Sequence, residues 1–387
     1  MRRVYLDHTA TTPLDARVLE AMRPYFTEKF GNASSVHRFG QDARAALDES
    51  RDRLAGLIGA REGEVFFVSG GTEADNFALK GVAWEARKEG RNHIITDAAE
   101  HHAVLDTCRF LGGEGFEVTY VGVDGSGMVD PGDVEKAITG KTALISVMHV
   151  NNEVGTINPV EEIGRIAKDH GVPFHSDAVQ SFAKLPVDVG ALSVDLLSLS
   201  AHKIYGPKGI GALYMRRGLK TGLLMHGGGQ ERGRRAGTEN IPLAAGFAAA
   251  AEILNGEREV EWDRLSTLKD TFRSLLEENV PTVVFNGHAR CSLPHILNVS
   301  FGSERIVLDG EALLFNLDLS GIAAASGSAC TSGSMEPSHV LLAMGRDERT
   351  AGASVRFSMG RSTTLEDLQY TADSLGRIVK RIAKVLP

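Results

Sequence analysis

Short apolar runs alternate with longer amphipathic segments along most of the chain. The runs are typical of buried strands, and the segments between them repeat their apolar positions every three or four residues, as helices do. The predicted strands are residues 64–68, 93–96, 116–121, 142–148, 172–175, 194–199 and 210–215, and the predicted helices are 15–29, 41–57, 72–88, 103–111, 131–138 and 159–170. This alternation predicts an α/β fold, with a mostly parallel sheet covered by helices on both faces.

The pattern changes in the last third of the chain. Strands are predicted at 282–285, 296–301 and 354–358, and helices at 240–255, 258–279, 309–318 and 364–385. A chain of 387 residues is long enough for two cores, because single cores stop growing at roughly 250 to 300 residues. We therefore predict a large domain of residues 15–257, followed by a smaller α+β domain that begins at 258.

Composition and charge exclude several classes of protein. The chain has 42 basic and 50 acidic residues, with a net charge of −8 and no long basic run, so nucleic acid is a poor partner. The longest apolar stretch, 241–251, is shorter than the roughly 20 residues that a membrane span needs. Three cysteines without C-x-x-C spacing argue against disulfides and a structural zinc site. These features predict a soluble, cytoplasmic protein.

A lysine follows the predicted strand 194–199, in the turn Ser200-Ala201-His202-Lys203. An amine in a semi-enclosed site near other cations has a lowered pKa and can form a Schiff base with an aldehyde. Ser200 and His202 can donate hydrogen bonds to an anion. Taken alone, the segment is more typical of a solvated surface turn.

Two further strand ends carry matching chemistry. Asp177 follows the strand 172–175, where a carboxylate can keep the nitrogen of a pyridine ring protonated, and Gln180 can reach a ring hydroxyl. Gly71 and Thr72 lie between a strand and a helix, where backbone N–H groups can bind a phosphate. In isolation, each of these is also a common turn or helix cap.

Cys330 lies in Ser-Gly-Ser-Ala-Cys-Thr-Ser-Gly-Ser, among small polar residues that predict an exposed, mobile thiol. Cys108 and Cys291 lack such a setting, and we predict that both are structural. Arg356 alternates with apolar residues on a predicted strand, and its guanidinium suits either a bidentate contact with a substrate carboxylate or a structural salt bridge.

Residues 69–76, 176–181 and 200–203 together resemble the cysteine desulfurases of the class V aminotransferase superfamily, and the resemblance runs from Tyr5 to Arg361. It implies the pyridoxal-phosphate-dependent transferase fold, which is aspartate-aminotransferase-like and of fold type I. It also implies that residues 1–14 pack with 258–387 as the small domain.

The resemblance implies a role for each candidate residue. Lys203, Cys330 and His101 would be catalytic, and Asn152 and Arg356 would bind the substrate. The residues implied in binding pyridoxal 5'-phosphate are Gly71, Thr72, His101, Asn152, Asp177, Gln180, Ser200, His202, Lys203 and Thr238. Thr238 would act in the other subunit's site, which implies a homodimer.

The implied reaction converts L-cysteine to L-alanine and transfers the sulfur to Cys330 as a persulfide. An iron–sulfur scaffold protein or another acceptor would then take the sulfur. The sequence leaves open whether Cys330 is also a transient iron–sulfur ligand. Two other readings remain open from the sequence: a selenocysteine lyase or other class V aminotransferase, and a non-enzymatic sulfur or metal carrier.

Overall fold

The structure is a computed structural model that describes residues 2–301, 306–326, 336–382 and 384–385. The helices are α1 Ala16–Met22, α2 Pro24–Thr27, α3 Arg38–Leu57, α4 Gly71–Arg87, α5 His102–Gly113, α6 Pro131–Ala137, α7 Val160–Asp169, α8 Ile241–Asn279, α9 Gly310–Leu319, α10 His339–Ala343, α11 Glu348–Gly352 and α12 Leu365–Ile382. The strands are β1 Val4–Tyr5, β2 Val65–Val68, β3 His93–Asp97, β4 Glu117–Val121, β5 Thr142–Ser146, β6 Phe174–Asp177, β7 Leu196–Ser200, β8 Gly211–Met215, β9 Val283–Asn286, β10 Ile296–Phe301, β11 Ile306–Val307, β12 Ile322–Ala323, β13 Ser354–Ser358 and β14 Lys384–Val385.

A seven-stranded sheet of order β2-β8-β7-β6-β5-β3-β4 forms the centre of the larger part of the described chain. Strand β8 runs antiparallel to both neighbours, β2 and β7, and the other neighbouring pairs are parallel. The prediction of a mostly parallel α/β sheet is confirmed.

Neighbouring residues on each central strand point into different cores, because side chains alternate across a strand. Ile94 and Leu196 belong to the core that contains α4 and α5, whereas Ile95 and Leu197 belong to the core that contains α1, α3, α7 and the first part of α8. Both faces of the sheet are therefore covered. Polar side chains at the carboxyl ends of the parallel strands meet at one edge, where open α/β sheets bind ligands.

A second core lies outside this sheet. Strands β9, β10 and β13 form an antiparallel sheet, which packs with α9, α12 and the second part of α8. The N-terminal strand β1 pairs with β12, and Val4 and Leu6 are buried in this core. The division at residue 257 stays a prediction, since α8 crosses that position without interruption.

Two helix predictions were wrong in detail. The predicted helices 240–255 and 258–279 are one helix, α8, because its two ends are buried in different cores, with Phe247 in the first and Phe272 in the second. The predicted helix 15–29 is divided into α1 and α2 at Pro24, since a proline lacks the N–H that would continue the helix.

Within the described residues, we find no helix whose length and apolar content would let it cross a membrane.

Candidate active site

A cavity of about 430 Å³ opens at the carboxyl edge of the large sheet. Its wall contains ten of the residues that the sequence analysis selected: Gly71, Thr72, His101, Asn152, Asp177, Gln180, Ser200, His202, Lys203 and Arg356. The structure therefore brings together side chains from β6, β7, β13 and the loops after β2, β3 and β5.

Lys203 ends the single helical turn Ala201–Lys203 that follows β7. Its Nζ donates to the carbonyl oxygens of Thr9 at 2.6 Å and Ala10 at 2.8 Å. Burial, and after it the positive charge of Arg356, lowers the pKa of the Lys203 amine to about 8. About a tenth of this amine is then neutral at pH 7, far more than for an exposed lysine, and the neutral form is the one that acts as a nucleophile or base.

Asp177 ends β6 and is buried in the cavity wall. One carboxylate oxygen, Oδ1, accepts a hydrogen bond from the backbone N–H of Val179 at 2.8 Å. Burial raises the pKa of the Asp177 carboxyl to about 6, against the opposing effects of the Val179 N–H and of Lys203. Near neutral pH this carboxyl is therefore mostly charged, and a cationic ring nitrogen would stabilise the charge further.

The N-terminus of α4 meets Ser200 at one end of the cavity. A Cβ added to Gly71 would lie 2.7 Å from Cγ2 of Val179, so only glycine permits this close approach. The Ser200 hydroxyl is buried and has no hydrogen-bond partner among the described residues. A hydroxyl donor beside the positive end of a helix suits a phosphate group.

His101 caps α5, and its Nδ1 accepts from the backbone N–H of Ala103 at 3.1 Å. Burial, and after it the charge of Lys203, lowers the pKa of the His101 ring to about 4. The ring is therefore neutral at neutral pH and carries its proton on Nε2, since Nδ1 is the acceptor. Gln180 also lines the cavity, and its Nε2 donates to the carbonyl oxygen of Thr9 at 3.2 Å.

Arg356 extends from β13 of the second core into this cavity. One of its terminal nitrogens donates to the carbonyl oxygen of Asn152 at 3.0 Å, and the other pairs with Oδ1 of Asp7 at 3.0 Å. Its Nε is buried without a partner in the described part of the chain. A guanidinium held from two sides presents a fixed cation to a carboxylate.

Thr238 and Cys330 are not among the described residues that line this cavity. Thr238 is exposed and does not line it. Cys330, proposed as the sulfur acceptor and as a metal ligand, lies outside the described residues. Among the residues described, no group of three or more His, Cys, Asp or Glu side chains could hold a metal ion.

The other two cysteines differ from each other. Cys108 is fully buried, and burial raises the pKa of its thiol to about 12, so it is inert at neutral pH. Cys291 is a free and exposed thiol.

Sequence reasoning missed several parts of the cavity wall. Thr9 and Ala10 offer backbone carbonyls, which carry no side-chain signal. Asp75 is buried in the wall, but its neighbours Glu73, Ala74 and Asn76 in the sequence gave no signal of that burial. No role had been assigned to it.

These residues fit pyridoxal phosphate. The cavity offers an amine of lowered pKa at Lys203, a buried carboxylate at Asp177 and an unpartnered hydroxyl at Ser200 beside a helix N-terminus. They correspond to the aldehyde, the ring nitrogen and the phosphate of the cofactor.

Comparisons with known proteins agree with this geometry. The family model "Aminotransferase class-V" matches residues 4–371. The chain is 49% identical to the cysteine desulfurase IscS of Dictyoglomus turgidum over 386 residues, covering 100% of this chain and 97% of that protein. It is 48% identical to the putative cysteine desulfurase IscS 1 of Bacillus subtilis, covering 99% of this chain and 100% of that protein.

A solved structure of a NifS-like protein has a TM-score of 0.90 and 39% identity, and covers 98% of this chain and 100% of that chain. The fold is therefore that of pyridoxal-phosphate-dependent enzymes of fold type I. A structure of SspA in complex with cysteine has a TM-score of 0.81 and 38% identity, and covers 92% of this chain and 98% of that chain. The chain belongs to the class-V aminotransferase family and, within it, to the cysteine desulfurases.

Proposed function

We propose that this protein takes the sulfur atom of L-cysteine, leaves L-alanine, and holds the sulfur on Cys330 as a persulfide. The observation that carries the proposal is the convergence of Lys203, Asp177 and Arg356 on one cavity. An amine, a ring-facing carboxylate and a carboxylate-binding cation are the three groups that chemistry at the α-carbon of an amino acid requires.

Lys203 would hold pyridoxal phosphate covalently, and Asp177 would face the ring nitrogen. Ser200, His202, Gly71 and Thr72 would bind the phosphate. When bound, the cofactor supplies an electron-withdrawing ring that stabilises negative charge at the substrate α-carbon.

The chain's own residues orient the substrate and move its proton. Arg356 and Asn152 hold the α-carboxylate of L-cysteine, which fixes the orientation of the α-carbon. The Lys203 amine is suited to accept the α-proton, because its pKa of about 8 lies near the operating pH. His101, neutral and with its proton on Nε2, can donate to the substrate.

Cys330 supplies the second nucleophile. Its thiolate would attack the substrate sulfur, so that a new S–S bond forms while the bond from that sulfur to carbon breaks. This assignment rests on the small and polar neighbours of Cys330 in the sequence and on the family, since the residue lies outside the described part of the chain.

Further proposals follow from the names of the relatives and from the family. The persulfide sulfur would pass to an iron–sulfur scaffold protein or another acceptor in the cytoplasm. Thr238, which is exposed, would contribute to the site of a second copy in a homodimer. Both side chains of the Arg51–Glu231 ion pair are buried. This pair holds the start of the segment 231–238, which carries Thr238.

The test is incubation of the purified protein with L-cysteine, followed by measurement of alanine. We expect alanine from the parent and none from Lys203→Ala, which should also lose the visible absorbance of the bound cofactor. Pyruvate or transamination products without alanine would favour another class V enzyme. Absence of cofactor absorbance in the parent would favour a non-enzymatic carrier.

A further inference from the structure

Asp75 is a buried carboxylate in the cavity wall that the proposed reaction does not use. It lies in the second turn of α4 and is 1% exposed. Its Oδ1 has no hydrogen-bond partner among the described residues. A buried carboxylate usually has a cation or several N–H donors around it, so its protonation state needs an explanation.

The basic group next to Asp75 is the ring of His175, and both of its ring nitrogens already have a hydroxyl partner. His175 Nε2 lies 3.6 Å from Oδ1 of Asp75, but Nε2 is also 2.9 Å from the Ser198 hydroxyl, and Nδ1 is 2.9 Å from the Ser146 hydroxyl. Burial lowers the pKa of the His175 ring to about 3. His175 is therefore neutral and gives Asp75 no counter-charge.

Among the described residues, Asp177 and His175 of β6 are the titratable groups next to Asp75. Glu100 interacts with Asp75 electrostatically, and Lys203 lines the same cavity. Burial, and after it the charge of Asp177, raises the pKa of the Asp75 carboxyl well above its usual range. Two buried carboxylates in one wall do not both ionise without a large cost, because each destabilises the charge of the other.

The environment decides which member of the pair keeps the charge. Asp177 accepts a backbone hydrogen bond from Val179 and is stabilised by the positive charge of Lys203. Asp75 has only the Ser198 hydroxyl. The negative charge is therefore more stable on Asp177.

We propose that Asp75 is a positioning residue that stays protonated as a neutral carboxylic acid, so that the single negative charge of the pair remains on Asp177. This rests on the proposed function, in which Asp177 faces a cationic ring nitrogen. The Ser198 hydroxyl contacts Asp75 and would accept the proton of the acid, and it lies 2.9 Å from Nε2 of His175, whose Nδ1 lies 2.9 Å from the Ser146 hydroxyl. A charged Asp75 would instead compete with Asp177 for that cation.

The first experiment is unfolding of the full-length protein without pyridoxal phosphate between pH 4 and pH 7, comparing the parent with Asp75→Asn. Unfolded aspartate ionises near pH 4, whereas folded Asp75 keeps its proton. The parent's unfolding constant should therefore rise relative to that of Asp75→Asn, by about tenfold per pH unit. Asp52→Asn removes an exposed carboxylate on α3 and should show no such trend. A ratio between parent and Asp75→Asn that does not change with pH would overturn the proposal.

The second experiment is a pH titration of the absorbance of bound pyridoxal phosphate. Asp75→Asn replaces one neutral group by another, so its midpoint should equal that of the parent, whereas Asp177→Asn should shift it. A shifted midpoint in Asp75→Asn would show that Asp75 carries charge in the parent. The unfolding experiment needs neither cofactor nor turnover, so it decides the protonation state even if no alanine is formed.

If Asp75→Asn does not fold, the infrared C=O band of a protonated carboxylic acid in the parent gives the same answer. Ser198→Ala should shift this band, because it removes the hydrogen-bond partner of the acid. Absence of such a band in the folded parent contradicts the proposal.

Discussion

At the residue scale, the reactivity of Lys203 is set by its surroundings. The amine is largely enclosed, and the positive charge of Arg356 lies in the same cavity. Both effects destabilise the ammonium form, while the charges of Asp177 and Asp7 oppose them. As a result, Lys203 deprotonates at a pH well below that at which an exposed lysine does.

This balance predicts how the cofactor-free protein takes up pyridoxal phosphate. Only the neutral amine attacks the aldehyde, so the rate should rise with pH and level off above about 8, the pKa of Lys203. Stopped-flow absorbance measures this rate. A rate that continues to rise towards pH 10, the range of an exposed lysine, would contradict the environment described for this side chain.

Much of this residue-scale chemistry could be predicted from the sequence. Lys203 and Asp177 stand directly after apolar runs, and the carboxyl ends of parallel strands share one edge. Asp75 was not assigned a role because it lies on a helix, where its position beside Asp177 depends on how α4 packs against the sheet. Thr9 and Ala10 act through backbone carbonyls, which no residue type reveals.

At the element scale, α8 links the two cores as one helix of 39 residues. The sequence analysis predicted two helices here, and Gly256 lies between them. A helical glycine costs only about 1 kcal/mol, which burial of Phe247 and Phe272 in separate cores exceeds. Long-range packing decided the outcome, and local periodicity carries no information about it.

Two glycines of α8 give a matched pair of predictions. Gly256 is exposed, and no described atom lies within 4 Å of a Cβ added there, so Gly256→Ala should stabilise the protein by about 0.5–1 kcal/mol. A Cβ added to Gly246 would lie 2.6 Å from Sδ of Met22, so Gly246→Ala should destabilise it. Urea unfolding measures both changes. If both variants behaved alike, the packing of α8 against α1 would differ from this description.

At the scale of the whole molecule, the site is assembled across both cores. Arg356 belongs to the second core, and its partner Asp7 is 349 residues away in the N-terminal arm. The arm continues to Thr9 and Ala10, which contact Lys203. Contacts of such sequence separation could be expected only from the family resemblance, not from hydrophobic patterning.

Arg356→Lys tests whether this long-range contact binds substrate. A lysine keeps the charge but loses the planar pair of donors, so kcat/KM for L-cysteine should fall by about 30-fold, equivalent to about 2 kcal/mol for a hydrogen bond to a charged group. Steady-state kinetics of alanine formation measures this. Arg349→Lys changes an exposed arginine of α11 and should have no effect. An unchanged kcat/KM in Arg356→Lys would remove Arg356 from the substrate site.

The central claim is that Lys203 and Cys330 act in sequence on one sulfur atom. The most direct measurement is mass spectrometry of the Cys330 peptide after a single turnover with L-cysteine that carries a heavy sulfur isotope. We expect one added heavy sulfur in the parent, none in Lys203→Ala, and none on this peptide in Cys330→Ser. Heavy sulfur on Cys291 instead, or on the Cys330 peptide of Lys203→Ala, would contradict it.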